Sequence, residues 1–116
     1  MNGETADNGK IVVITTFCPS EKNAEQIAEP LIRQAMAASV HIDKVRSIYR
    51  WERDVHDRTE YRLEAVCGKN HLREAVKIIE MYNSYYVPAV TWTETDATPR
   101  TAVWVHTGYG SVDKTR

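Results

Sequence analysis

The sequence predicts an α+β sandwich, with two helices packed on one face of a four-stranded antiparallel sheet. Three observations carry that prediction. The β-branched run "KIVVITTF" at residues 10–17 reads as a strand buried on both faces. Two stretches, near residues 24–36 and 72–82, repeat apolar residues at i, i+3, i+4 and i+7, as amphipathic helices do. Between them, from Val40 to Cys67, the period drops to two, as in half-buried strands.

Residues 1–9 are polar, lack a signal-peptide core and read as a disordered lead. Residues 10–107 form one domain, and 108–116 read as a loose tail. After the first strand, Pro19 is a break, Ser20 a helix cap and Glu21 a favourable first-turn acid. The first helix carries Ala24, Ile27, Ala28, Leu31, Ile32, Ala35 and Met36 on its apolar stripe. Pro30 falls inside that pattern and is expected to kink the helix on its polar side.

In the alternating region Val45, Ser47, Tyr49 and Trp51 share one face, and Arg46, Ile48, Arg50 and Glu52 the other. The polar stretch "RDVHDR" reads as the bend of a hairpin. Beyond it Tyr61, Leu63, Ala65 and Cys67 alternate with Glu60, Arg62, Glu64 and Val66. Each arm is about ten residues long, against the usual five or six. "GKN" breaks the pattern again, with Asn70 the expected cap of the second helix. That helix aligns Leu72, Ala75, Val76, Ile79 and Tyr82. "NSYYVPAVTWTET" reads as the last strand, with Val90 and Trp92 on one face and Pro88 marking an edge or a bulge. "DATPR" is a turn, and residues 101–106 fit a short helix or a short strand. The order βαββαβ with right-handed crossovers is a ferredoxin-like sandwich, here with a long central hairpin and a short C-terminal element.

Composition narrows the function. The chain has 116 residues, 42% apolar and 27% charged, with a net charge of −1 from 15 basic and 16 acidic groups. Such balance gives no long-range attraction to nucleic acid or anionic membrane. RNA-recognition domains of this topology need aromatics on the two central strands, where this chain offers only Phe17 and Tyr61. No apolar run approaches the roughly 20 residues of a membrane span. Cys18 and Cys67 lack CxxC spacing and sit in apolar runs, which reads as two buried thiols in a cytoplasmic protein. His41, His56, His71 and His106 are scattered, without metal-ligand spacing, and no catalytic triad is visible.

The hairpin is the anomaly. Its arms outrun the helices and expose the aromatics of "SIYRWERD", residues 47–54. Tyr49, Trp51, Arg50 and Ile48 are therefore expected at an interface between copies of the chain, since aromatics and arginine anchor interfaces and open strand edges invite pairing.

At residue level the chain resembles the CutA divalent-cation-tolerance family. The carriers are the first strand, Ser20 to Ala28, "AASVHI", "SIYRWERD" and "NSYYVPAV", spread over residues 10–106. "SIYRWE" is the specific piece. The resemblance implies a tight cytoplasmic homotrimer, similar in shape to PII regulatory proteins, with long hairpins pairing between subunits. It also implies a link to tolerance of copper and other divalent metals, and no firmly attached catalytic activity. Ser39, Arg53, Val66, Asn83, Tyr86 and Ala89 stand where the family carries Cys, Gly, Lys, His, Glu and Glu. The expected function is a non-enzymatic trimer binding a divalent metal or small ligand between subunits. Glu52 and Tyr85 are expected to line that cleft, and His71 is the candidate metal ligand. The alternatives are a PII-like regulatory or assembly module without metal, and an enzyme with a composite Cys/His site between chains.

Overall fold

Alternation fixes which residues of the sheet go inward, and the computed structural model, which describes residues 10–110, follows it. The elements are β1 (Ile11–Cys18), α1 (Glu21–Arg33), β2 (Ser39–Trp51), β3 (Asp54–Gly68), a 3₁₀ turn (Lys69–His71), α2 (Leu72–Tyr82), β4 (Val90–Thr95) and α3 (Pro99–Thr107). The sheet order is β2-β3-β1-β4, with every neighbouring pair antiparallel. This is the ferredoxin-like fold. Residues 1–9 and 111–116, read as a lead and as most of the tail, lie outside the described residues.

The helix-facing side of the sheet places Val12, Ile14 and Cys18 of β1 beside Leu63, Ala65 and Cys67 of β3. Ala24, Ile27 and Leu31 of α1 and Ala75 and Ile79 of α2 close over them. Each of the larger side chains contributes about 1.5–3 kcal/mol by leaving water.

Pro30 corrects the sequence reading. It lies on the buried face of α1, three residues after Ile27, and its ring joins the apolar stripe. α1 ends at Arg33, one turn short of Ala35 and Met36, and Ala35 takes a left-handed φ of 58°. Asn70 is not the cap of α2. It lies inside the 3₁₀ turn, and His71 takes the cap position without a side-chain hydrogen bond.

The choice for residues 101–106 resolves to helix. Thr98 accepts from the Thr101 N–H at 3.3 Å, Pro99 takes the first turn, and Gly108 closes α3 in the left-handed region at φ 74°. α3 rests on the end of β3 through Val105 and His106, whose Nε2 lies 3.2 Å from the Lys10 carbonyl oxygen. Gly68 permits that contact. A Cβ there would stand 2.6 Å from Asn70 Oδ1 and 2.8 Å from His106 Cε1. Gly68→Ala is expected to destabilise the fold by about 1–3 kcal/mol, because the His106 ring must shift off the strand. The denaturation midpoint checks it, and an unchanged midpoint would show that α3 yields freely.

The last strand is shorter than read. β4 begins only at Val90, and residues 83–89 form an irregular loop that includes Pro88. β4 is an edge strand, as Pro88 implied.

Candidate functional site

The hairpin builds the site. β2 and β3 pair without interruption from Ser39↔Val66 to Trp51↔Asp54, so the turn is the two residues Glu52–Arg53. The stretch read as a polar bend, residues 53–58, is mostly ladder. Its polarity misleads because this part of the hairpin has solvent on both faces. β1 pairs with β3 only over Tyr61–Gly68. From Val45↔Glu60 outward the sheet is therefore a two-stranded ribbon, roughly 20 Å long at the usual rise per residue.

Glu52 holds φ 57° at the tip, where an L side chain is strained. Glu52→Gly is expected to stabilise the chain by about 0.5–1 kcal/mol by relieving that strain. A thermal or urea midpoint that falls instead would show that the Glu52 side chain holds the tip.

Register sorts the ribbon side chains onto two faces. Ile48, Arg50 and Val55 share the helix-side face, beyond the reach of either helix. Tyr49 and Trp51 lie on the open face with His56, Arg58 and Glu60. Ile48 is 63% exposed, Val55 75% and Trp51 51%.

On the open face, ribbon and 83–89 loop enclose a groove of about 780 Å³. Two buried asparagines position the loop. Asn83 donates to Thr16 Oγ1 (3.3 Å) and the Phe17 carbonyl (3.0 Å), and accepts from the Tyr85 N–H (2.9 Å). Asn23 donates to the Tyr82 carbonyl (2.9 Å) and accepts from the Ser84 N–H (3.0 Å). Thr16 Oγ1 in turn donates to the Ala89 carbonyl at 2.7 Å. So fixed, Tyr85 donates its hydroxyl to Glu60 Oε2 at 2.7 Å. Burial first, then the bond to Glu60 and its charge, push the Tyr85 phenol well above its ordinary range. It stays protonated and remains a donor.

Three arginines border the groove. Arg46 makes a bidentate pair with Asp57 (2.9 and 2.5 Å), and Arg62 one with Asp43 (3.1 and 2.8 Å). Arg58 has no carboxylate within salt-bridge distance among the described residues. Its one side-chain hydrogen bond among the described residues is to the Tyr49 hydroxyl, at 3.4 Å, and Tyr85 and Glu60 lie near enough to act on its charge. Tyr49 stacks on His56 with ring centroids 5.2 Å apart.

The structure separates two residues expected to share a cleft. Tyr85 lines the groove, whereas Glu52 sits at the hairpin tip. The proposed interface set also divides, with Tyr49 and Trp51 on one face and Ile48 and Arg50 on the other. Sequence reasoning missed Glu60, Arg58 and His56. Parity would have found His56 and Arg58, had the bend not been placed across residues 53–58. His71 is half-buried in the 3₁₀ turn, away from the groove. Among the described residues no three His, Cys, Asp or Glu side chains gather as a metal cluster. Cys18 and Cys67 are unpaired and wholly buried. Burial, with a smaller contribution from Glu60, pushes the Cys18 thiol up to about 11, and burial pushes Cys67 up to about 12. No described helix is long and apolar enough to cross a membrane.

Comparison with known proteins agrees with this geometry. The family model for the CutA1 divalent ion tolerance protein matches residues 11–108. A probable divalent-cation tolerance protein cutA homolog of Encephalitozoon cuniculi is 28% identical over 81 residues, covering 70% of this chain and 71% of that protein. The crystal structure of the divalent ion tolerance protein CutA1 from Ehrlichia chaffeensis superposes with a TM-score of 0.77 at 25% identity, over 82% of this chain and 91% of that one. The periplasmic divalent cation tolerance protein CutA from Archaeoglobus fulgidus shares the fold, with a TM-score of 0.78 at 23% identity over 82% and 94%.

Proposed function

The chain belongs to the CutA1 divalent ion tolerance protein family, and on that premise we propose that it is a non-catalytic homotrimer of divalent-metal tolerance, binding a small ligand or a metal ion such as copper between its subunits. The observation that carries the assembly is the overhanging ribbon. A two-stranded ribbon is marginal in water on its own. This one exposes Ile48 and Val55 on one face of its end and Trp51 on the other, and exposed apolar side chains gathered there call for a partner. A second copy supplies it, with Tyr49, Trp51, Arg50 and Ile48 as anchors.

The donor groups of one chain do not fit a resident metal, since no three gather among the described residues. A metal would need ligands from more than one copy, His71 included. Titration calorimetry of the full chain with Cu²⁺ and Zn²⁺ tests this. A shared site binds metal only in the assembled protein, and binding that survives monomerisation contradicts it. The same observation favours a second reading, a PII-like regulatory or assembly module that binds no metal.

The composite Cys/His enzyme finds no support. Both thiols are shut away from solvent and lie far above neutral in pKa, so neither is a thiolate nucleophile. Labelling with a thiol-reactive disulfide is expected to proceed only at the rate of unfolding, and fast labelling of the native protein would contradict that. The linkage has a definite sign. Folding keeps the thiols protonated, so their contribution to stability is complete below pH 9, the ordinary thiol value, and is lost as the pH rises towards 11 and 12. Unpaired buried cysteines suit a reducing compartment, and we place the protein in the cytoplasm.

A further inference from the structure

A titratable ring is built into the face that Tyr49 and Trp51 offer to other copies. His56 stands directly opposite Tyr49 in the ladder. Its imidazole lies flat on that tyrosine, with centroids 5.2 Å apart and planes at 16°. The ring is half-buried and lines the groove. The stack is its one side-chain interaction among the described residues, so no carboxylate is placed to hold a second proton on it. On β3, Asp54 precedes it on the same face at the exposed tip, and Arg58 and Glu60 follow it. Arg58 reaches the hydroxyl of the same Tyr49 at 3.4 Å, while Glu60 accepts from Tyr85 and acts on Arg58. β2 offers only the uncharged Val45, Ser47, Tyr49 and Trp51 beside it, and the 83–89 loop offers Tyr85. By parity the Arg46–Asp57 pair lies on the opposite face, and Arg62 is taken by Asp43 farther along the hairpin.

We infer that His56 is a pH-sensitive switch of assembly: its neutral ring completes the contact between copies, and protonation in mild acid loosens that contact. Histidine is the side chain whose ordinary titration falls between about pH 5 and 8. A second copy seated on Tyr49 also covers the ring stacked there and withdraws it from water. A neutral imidazole tolerates that, whereas an imidazolium gives up its hydration without gaining a partner. The attractions that could rescue the cation are weak. Asp54 is exposed at the tip, where solvent and salt screen it, and a tyrosine face offers a cation little. Arg58, bound to the same tyrosine, repels it. Assembly therefore excludes a proton at each copy, and the assembled state weakens as the pH falls through the ordinary histidine range. The inference rests on the assembly proposed for the chain and names its regulation.

Sedimentation of the full chain at about pH 7.5 and about pH 5.5 tests it. The dissociation constant is expected to rise at least about tenfold in acid, because each copy must release a proton to reassemble. His56→Phe keeps an aromatic ring against Tyr49 and cannot titrate, so its assembly should be equally tight at both pH values. His56→Gln makes the same test with a smaller neutral group, should the larger ring disturb the contact. His41→Gln, at the start of β2 opposite Glu64, should leave the response unchanged. A response that persists in both His56 variants arises elsewhere, acid unfolding included, and overturns the inference. A response lost with His41→Gln overturns it as well. An assembly of the unaltered chain that is indifferent to pH overturns the switch alone. A monomer at about pH 7.5 overturns the assembly, and the switch with it.

Discussion

Trp51→Ala is expected to weaken self-association by at least about 2 kcal/mol per site, while leaving the fold of each chain nearly intact. The two halves of that result have one cause. Trp51 ends the ladder opposite Asp54, on the part of the ribbon that neither helix nor β1 reaches. Half of its surface is open to solvent, and it belongs to no part of the buried core. Truncation therefore removes the exposed half available to a partner and leaves the buried core untouched. The dissociation constant, from dilution series, should rise about thirtyfold or more. The unfolding free energy of the dissociated chain, from urea titration, should move by no more than about 0.5 kcal/mol. An intact assembly with a weakened chain would reverse the assignment and make Trp51 a local packing residue.

Asn83→Ala is expected to destabilise the chain itself by about 2–4 kcal/mol, because it orphans the Phe17 carbonyl and the Tyr85 N–H in a buried seam. Three bonds converge on this side chain, and Thr16 Oγ1, which receives one of them, also holds the Ala89 carbonyl. Losing the seam frees the 83–89 loop, so the Tyr85–Glu60 bond should go with it. The urea midpoint should fall while the dependence on urea stays unchanged. Asn83→Asp keeps an acceptor for the Tyr85 N–H but no donor, so it should recover only part of the loss. A fully stable Asn83→Ala variant would mean that the loop is held by Asn23 alone.

Local physics made much of the fold legible. The run at residues 10–17, the stripe through Ala24, Ile27 and Leu31, and the alternation of Leu63, Ala65 and Cys67 each announce a buried face. The cap signals of α3 were also present, with Thr98-Pro99 at one end and Gly108 at the other. The hairpin tip was not legible. Its turn carries Glu52 in a left-handed conformation instead of the Gly or Asn that normally marks one. Once the bend is misplaced, His56 and Arg58 leave the ladder and the groove vanishes from view. Pro30 is ambiguous in sequence because its backbone chemistry points to a polar-side kink while its apolar ring suits the buried face it occupies. The groove also depends on Tyr85 meeting Glu60 across 25 residues of sequence. That meeting is arranged by Asn83 and Asn23, whose partners lie 59 to 67 residues away, and no local periodicity encodes it.

The claim on which the rest depends is that the overhanging ribbon is completed by other copies of the chain. Sedimentation equilibrium of the full protein tests it most directly. A single species of about three times the 13.3 kDa chain mass is expected, persisting to low micromolar concentration and dissociating more readily with Trp51→Ala. A stable monomer at those concentrations, with Trp51 and Ile48 open to solvent, would contradict it.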